Sequence, residues 1–124
     1  MNNVALYLLD ESTLIKILKQ GDYRFTNLTF EETKAMVHVN KGEDIVKCFS
    51  NSYIDDIIYE HLGIGPNQFK YAPIEELEPG EDAIVFKTYV TPSATQPIVI
   101  TENGNEAKKI QNIYVYCQLI SRLA

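Results

Sequence analysis

Tryptophan is absent from this 124-residue chain, and cysteine and histidine occur twice each. Cys48 and Cys117 sit in apolar surroundings without CxxC or Cys/His spacing. A zinc site and a redox pair are therefore not expected, and two buried free thiols are. His38 and His61 fall late in amphipathic stretches, where an imidazole lies beside the last helical carbonyls, and structural roles are expected for both. No apolar run approaches the roughly 18 residues that a membrane-crossing helix requires. Neither a secretory signal nor a lipidation box is legible at the ends of the sequence, so the expected location is the cytoplasm. Basic residues are adjacent only at Lys108-Lys109, and the formal charge is −6. Duplex DNA, whose binding rests on many phosphate neutralisations, is not an expected partner. A compact anionic ligand stays open, because backbone amides and a few side chains hold one without overall positive charge. GxGxxG after a strand, a phosphate-binding Gly-Lys-Ser/Thr loop, HExxH and GxSxG are all missing. The common cofactor and nucleophile signatures are thereby excluded, and neither cofactor nor metal is expected.

What is present fits one globular domain, residues 1–124, with 45% hydrophobic, 10% aromatic and 23% charged residues. Val4-Ala5-Leu6-Tyr7-Leu8-Leu9 is a near-continuous apolar run ending at Asp10-Glu11-Ser12, the pattern of a buried strand entering a polar turn. A short helix over 13–19 follows, with Asp10 or Ser12 as its cap. Residues 23–28 alternate as a strand. Thr29-Phe30-Glu31-Glu32 then spells a capping box before a helix over 30–37, with Phe30, Thr33 and Val37 on its inner face. A strand over 44–49 is broken by Ser50-Asn51-Ser52, three residues that favour caps and turns. Ile54, Ile57 and Ile58 recur at helical spacing up to Leu62, and Gly63 stops the run. Asp55 and Asp56 lie in the first turn of that helix, where the helix dipole favours carboxylates, and a structural role is expected for them.

Residues 68–71 make a short strand and 75–82 an acidic loop without the ligand spacing of a calcium site. Ala83-Ile84-Val85-Phe86 opens a strong strand over 83–90, and residues 97–101 a weaker one at an edge because of Pro97. A short helix is expected over 102–109 and a closing strand over 113–120. Tyr114 and Tyr116 alternate onto one face of that strand, which suits a core or a dimer interface as well as base stacking. The expected fold is α/β (α+β): a mixed sheet of about five or six strands flanked by short helices.

Three stretches together resemble the viral type III anti-CRISPR ring nucleases, small proteins of archaeal viruses, phages and mobile elements. The first is Leu6-Tyr7-Leu8-Leu9-Asp10-Glu11-Ser12, followed by Gly21-x-Tyr23 and Leu28-Thr29-Phe30-Glu31-Glu32-Thr33-Lys34. The second runs from Ser50-Asn51-Ser52 to Leu62-Gly63-Ile64, where the family has a turn carrying Gly-His before a helix ending in Leu-Gly. The third is Gly80-Glu81-Asp82-Ala83-Ile84-Val85-Phe86 with a closing strand ending Leu119-Ile120-Ser121-Arg122-Leu123.

The resemblance implies a homodimer that binds one cyclic tetra-adenylate across its two-fold axis. It also implies metal-independent cleavage: a ribose 2′-hydroxyl attacks its own phosphodiester, and a histidine protonates the leaving 5′-oxygen. Counted back from Leu62-Gly63, that histidine's position holds Asn51, which cannot supply a proton. Where the family has an Arg-x-x-Glu-Gly turn, this chain has Thr91-Pro92-Ser93-Ala94-Thr95-Gln96-Pro97. Both changes remove ionisable groups and keep hydrogen-bonding ones. The expectation is an anti-defence protein that sequesters a cyclic oligonucleotide signal, with Asp10, Glu11, Ser12, Ser50, Asn51 and Ser52 as ligand-binding residues. Two alternatives stand beside it. One is an active ring nuclease with Tyr53 or His61 as substitute acid; the other is a protein-binding inhibitor that uses the acidic loop and takes no nucleotide.

Overall fold

A computed structural model of the chain describes residues 6–39, 45–49, 51–65, 70–90, 95–110 and 113–124. The elements, in order, are β1 (Leu6–Asp10), α1 (Glu11–Ile17), β2 (Tyr23–Leu28), α2 (Phe30–Val39), β3 (Ile45–Lys47), α3 (Ser52–His61), β4 (Lys70–Tyr71), β5 (Asp82–Tyr89), β6 (Ile98–Ile100), β7 (Glu106–Ile110) and β8 (Ile113–Arg122). The fold is the α/β class read from the sequence: the described residues form one mixed sheet with three helices.

The sheet runs β4-β3-β1-β5-β8-β7-β6, with β2 also paired to β8. Its first four strands are mutually parallel, with Leu6 opposite both Ile45 and Asp82, and Lys47 opposite Tyr71. The remaining pairings are antiparallel. Alternation along the central strands feeds two cores, because successive side chains leave a strand on opposite faces. Leu6, Leu8, Ile84 and Phe86 face α2 and α3, packing on Val37, Ile54, Ile57 and Ile58. Leu9, Ala83 and Val85 face α1, packing on Leu14, Ile17 and the buried Leu77 of the acidic loop. Helices therefore cover both faces, which is why β1 and β5 read as continuous apolar runs.

The helix ends follow local chemistry. Thr29 Oγ1 accepts from Glu32 N at 3.1 Å while Glu32 Oε1 accepts from Thr29 N at 2.9 Å, the reciprocal pair expected of the capping box. At the end of α3, Gly63 takes φ +70° and the Ile64 amide folds back onto the Ile58 carbonyl. The imidazole of His38 meets the Leu62 carbonyl at 2.7 Å and latches α2 to α3, a structural role as expected. The acidic loop is tied down at several points. Tyr7 donates to Glu81 Oε2 at 2.8 Å, and the Arg122 guanidinium donates to the Leu77 carbonyl and pairs with Glu76.

Two expectations are corrected. Residues 102–109 do not form a helix: they are a turn followed by β7, the second strand of a hairpin with β6. Asn103, Gly104 and Asn105 favour reversal of the chain, and Gly104 sits at φ +83° while its amide donates to the Thr101 carbonyl at 2.9 Å. Pairing against β8 then overrides the helix-forming tendency of Glu-Ala-Lys-Lys. Among the described residues the sheet also holds eight strands and not five or six. The strand that the sequence reading missed is β7; the two-residue β4 falls within the short strand expected over 68–71.

Candidate functional site

The four parallel strands end together. After β1 the chain enters α1 on one face of the sheet, whereas after the neighbouring β3 it enters α3 on the other. Connections that diverge from adjacent parallel strands leave a crevice beyond their carboxyl ends, the usual ligand position in open α/β sheets. A cleft of about 390 Å³ opens there. Asp10, Ser12 and Lys16 line it from the β1–α1 side. Cys48, Phe49 and Tyr71 line it from the ends of β3 and β4. Its volume falls in the range of small-molecule sites.

Asp10 caps α1. Its Oδ1 accepts from Thr13 N at 2.9 Å, from Thr13 Oγ1 at 2.8 Å and from Ser12 Oγ at 3.1 Å, and Thr13 Oγ1 accepts from Asp10 N in return. The helix consequently starts at Glu11, two residues earlier than the apolar spacing suggested. Asp10→Ala is expected to cost about 1–2 kcal/mol of stability in urea unfolding, with Asp10→Ser restoring most of it. Glu11 points away from the cleft toward β5, where its carboxylate accepts from Thr88 N at 3.0 Å. Asn51 stands before α3 and accepts from Ile54 N at 3.4 Å, so the residue at the family's histidine position caps the helix that the histidine would precede. Ser52 opens that helix. Ser50, the side chains of Ser52 and Tyr53, and residues 91–94 of the altered turn lie outside the described residues.

Asp10 and Ser12 thus share one cleft with residues that sequence reasoning did not single out: Lys16, Phe49 and Tyr71. The missed residues lie on three different elements, and only the pairing of β1 with β3 and of β3 with β4 brings them together. Beneath the strand ends, Lys47 is buried at 6% exposure. Its Nζ meets Asp55 Oδ1 at 2.5 Å and lies 5.6 Å from the centre of the Phe49 ring and 5.9 Å from that of Tyr71. Asp55 is therefore a structural carboxylate, and Asp56, one residue along α3, is exposed.

Among the described residues no histidine lines the cleft, whose titratable side chains are Asp10, Lys16, Cys48 and Tyr71. Burial pushes the Cys48 thiol up to about 12, so it is protonated at neutral pH and is no nucleophile. His61 closes the ten-residue α3. At 1.5 Å per residue it stands about 15 Å from the end that carries Asn51. Among the described residues no group of three or more His, Cys, Asp or Glu side chains is placed to hold a metal ion, and no helix is long and apolar enough to cross a membrane. Comparison with protein-family models and with characterised proteins finds no match to this chain.

Proposed function

We propose that this protein is an anti-defence binding protein: a homodimer that takes up a cyclic oligonucleotide immune signal, cyclic tetra-adenylate or a close relative, and withholds it without cutting it. The observation that carries this reading is the strand-end cleft, because it joins Asp10 and Ser12 to a cation and an exposed aromatic ring at the position where α/β sheets hold ligands. Sequestration is favoured over cleavage by the chemistry nearby. Asn51 stands where the resembling family has its proton donor, the Cys48 thiol is held protonated, and His61 lies at the far end of α3. In-line attack by a 2′-hydroxyl without a histidine to protonate the departing 5′-oxygen forgoes the roughly 10²- to 10⁴-fold that a well-matched general acid supplies.

The test is incubation of the pure protein with a panel of cyclic oligonucleotides and cyclic ADP-ribose isomers, read by thermal shift and by chromatography of the nucleotide after denaturation. Ligand at a hundred times its Kd should raise the melting temperature on the order of 10 °C, with the nucleotide recovered intact. Linear product formed over many turnovers would replace sequestration by catalysis. No shift with any member would overturn the nucleotide reading and leave an acidic protein-binding surface as the working alternative.

A further inference from the structure

Tyr71 is 59% exposed although its backbone is pinned to β3. It pairs with Lys47 in the β3–β4 register, and the next amide, Ala72 N, donates to the Lys47 carbonyl at 3.0 Å. Lys47 Nζ lies 5.9 Å from the centre of the ring, so a buried ammonium lies against an exposed aromatic group at the mouth of the cleft. Such a ring is held without needing a ligand to order it, and one outer face stays available for stacking. The charges around the cleft are balanced. Among the described lining residues Lys16 is the cation and Asp10 the carboxylate, the latter with Oδ1 already engaged by Thr13 and Ser12. One cation matches one phosphodiester charge and leaves a triphosphate largely uncompensated.

We propose that Tyr71 is the base-stacking platform of this cleft, and that each protomer takes one phosphodiester-linked purine nucleotide, its base on the exposed face of Tyr71 and its single phosphate charge at Lys16. The proposal rests on the nucleotide-binding reading and narrows it to a ligand class and a contact. A purine is the base of choice because its two fused rings cover more of the tyrosine face than a pyrimidine does. Asp10 and Ser12, on the same wall as Lys16, are suited to ribose hydroxyls, which donate hydrogen bonds to a carboxylate as a phosphate cannot.

The chain contains no tryptophan, so Tyr71→Trp places a single indole at the platform. Its emission should be quenched by cyclic tetra-adenylate at saturation, only weakly affected by ATP at the same concentration, and unchanged by ribose 5-phosphate, which has no base. Titration of wild type, Tyr71→Phe and Tyr71→Ala with cyclic tetra-adenylate gives the matching affinities. Loss of the ring should weaken binding about ten- to a hundredfold, while Tyr71→Phe stays close to wild type. An unquenched indole at saturation, or equal affinity of wild type and Tyr71→Ala, overturns the platform while the nucleotide reading stands. ATP bound as tightly as cyclic tetra-adenylate overturns the single-charge assignment. Wild type that binds no nucleotide overturns the reading itself, a result visible before any variant is made.

Discussion

Asp55→Ala should destabilise the protein by about 3 kcal/mol, because it leaves the ammonium of Lys47 in the interior without its carboxylate. The Lys47 side chain is 7% exposed, whereas that of Asp55 is 19% exposed. The two partners are therefore not equivalent. Lys47→Met leaves a carboxylate that reaches solvent and sits in the first turn of α3, where the helix dipole favours it, so its loss should be the smaller of the two. Replacing both, as Lys47→Met with Asp55→Leu, should recover most of the stability lost in Asp55→Ala, since an apolar pair avoids the desolvation cost that an ion pair only offsets. Urea unfolding of the four proteins checks the order. If Asp55→Ala unfolds at the wild-type midpoint, the pair contributes nothing and the anchoring of α3 to the end of β3 has another source. The same series bears on the cleft, because Lys47 also lies against the Phe49 and Tyr71 rings.

The second large effect is alkaline. Burial pushes the thiols of Cys48 and Cys117 from 9.0 up to about 12, and burial together with the Glu81 carboxylate raises the Tyr7 hydroxyl from 10.0 to about 12. All three are neutral in the folded protein and ionise more readily once unfolded. The stability they confer is complete below pH 9 and is lost as the pH climbs toward 12. At pH 11 each thiol stands two units above its unfolded value of 9.0. At about 1.4 kcal/mol per pH unit for a fully buried thiol, the two together forfeit on the order of a few kcal/mol, a sizeable share of the stability of a small domain. Circular dichroism should show unfolding between pH 9 and 12. Cys117→Ala, whatever its cost at neutral pH, should lose clearly less further stability between pH 8 and 11 than wild type, since one of the two thiols is gone while Cys48 and Tyr7 remain. An unchanged far-ultraviolet spectrum at pH 12 would mean that the thiols ionise without unfolding the chain, and that burial does not hold them neutral.

The best-placed carboxylates each hold a cap, a loop or a neighbouring strand by accepting hydrogen bonds. Asp10 caps α1, Glu32 closes the box at α2, Glu81 stitches the acidic loop to Tyr7 and to the Glu78 amide, and Glu11 reaches across to Thr88. The loop over 75–82 is consequently not a loose charged run. Leu77 is fully buried beneath it, and the Arg122 side chain reaches back to it from the end of β8. For a protein partner this loop presents a defined surface, although the cleft on the other side of Ile74 is the better-built ligand position.

What the sequence determined by itself are the features decided within a turn or two of chain. The Thr29–Glu32 box, the inward Ile54, Ile57 and Ile58 of α3 with Gly63 behind them, and the apolar runs of β1 and β5 all rest on contacts between residues at most a few positions apart, or on burial from both sides. The burial of both cysteines follows from the same apolar patterning. Asp10 and Ser12 were legible as a turn at a strand end, and Asn51 as a cap, because Asx and Ser chemistry is local. Tertiary structure decided the rest. Residues 106–110 are a strand because β8 offers them an edge, and no local preference announces that edge. Glu11 turns from the cleft because Thr88 lies within its reach just beyond the last parallel β1–β5 pair, and Tyr71 enters the cleft because a two-residue strand docks on β3. Contacts made across tens of residues depend on strand order. A pattern of alternating or periodic hydrophobicity records which face of an element is buried, but not which neighbour buries it.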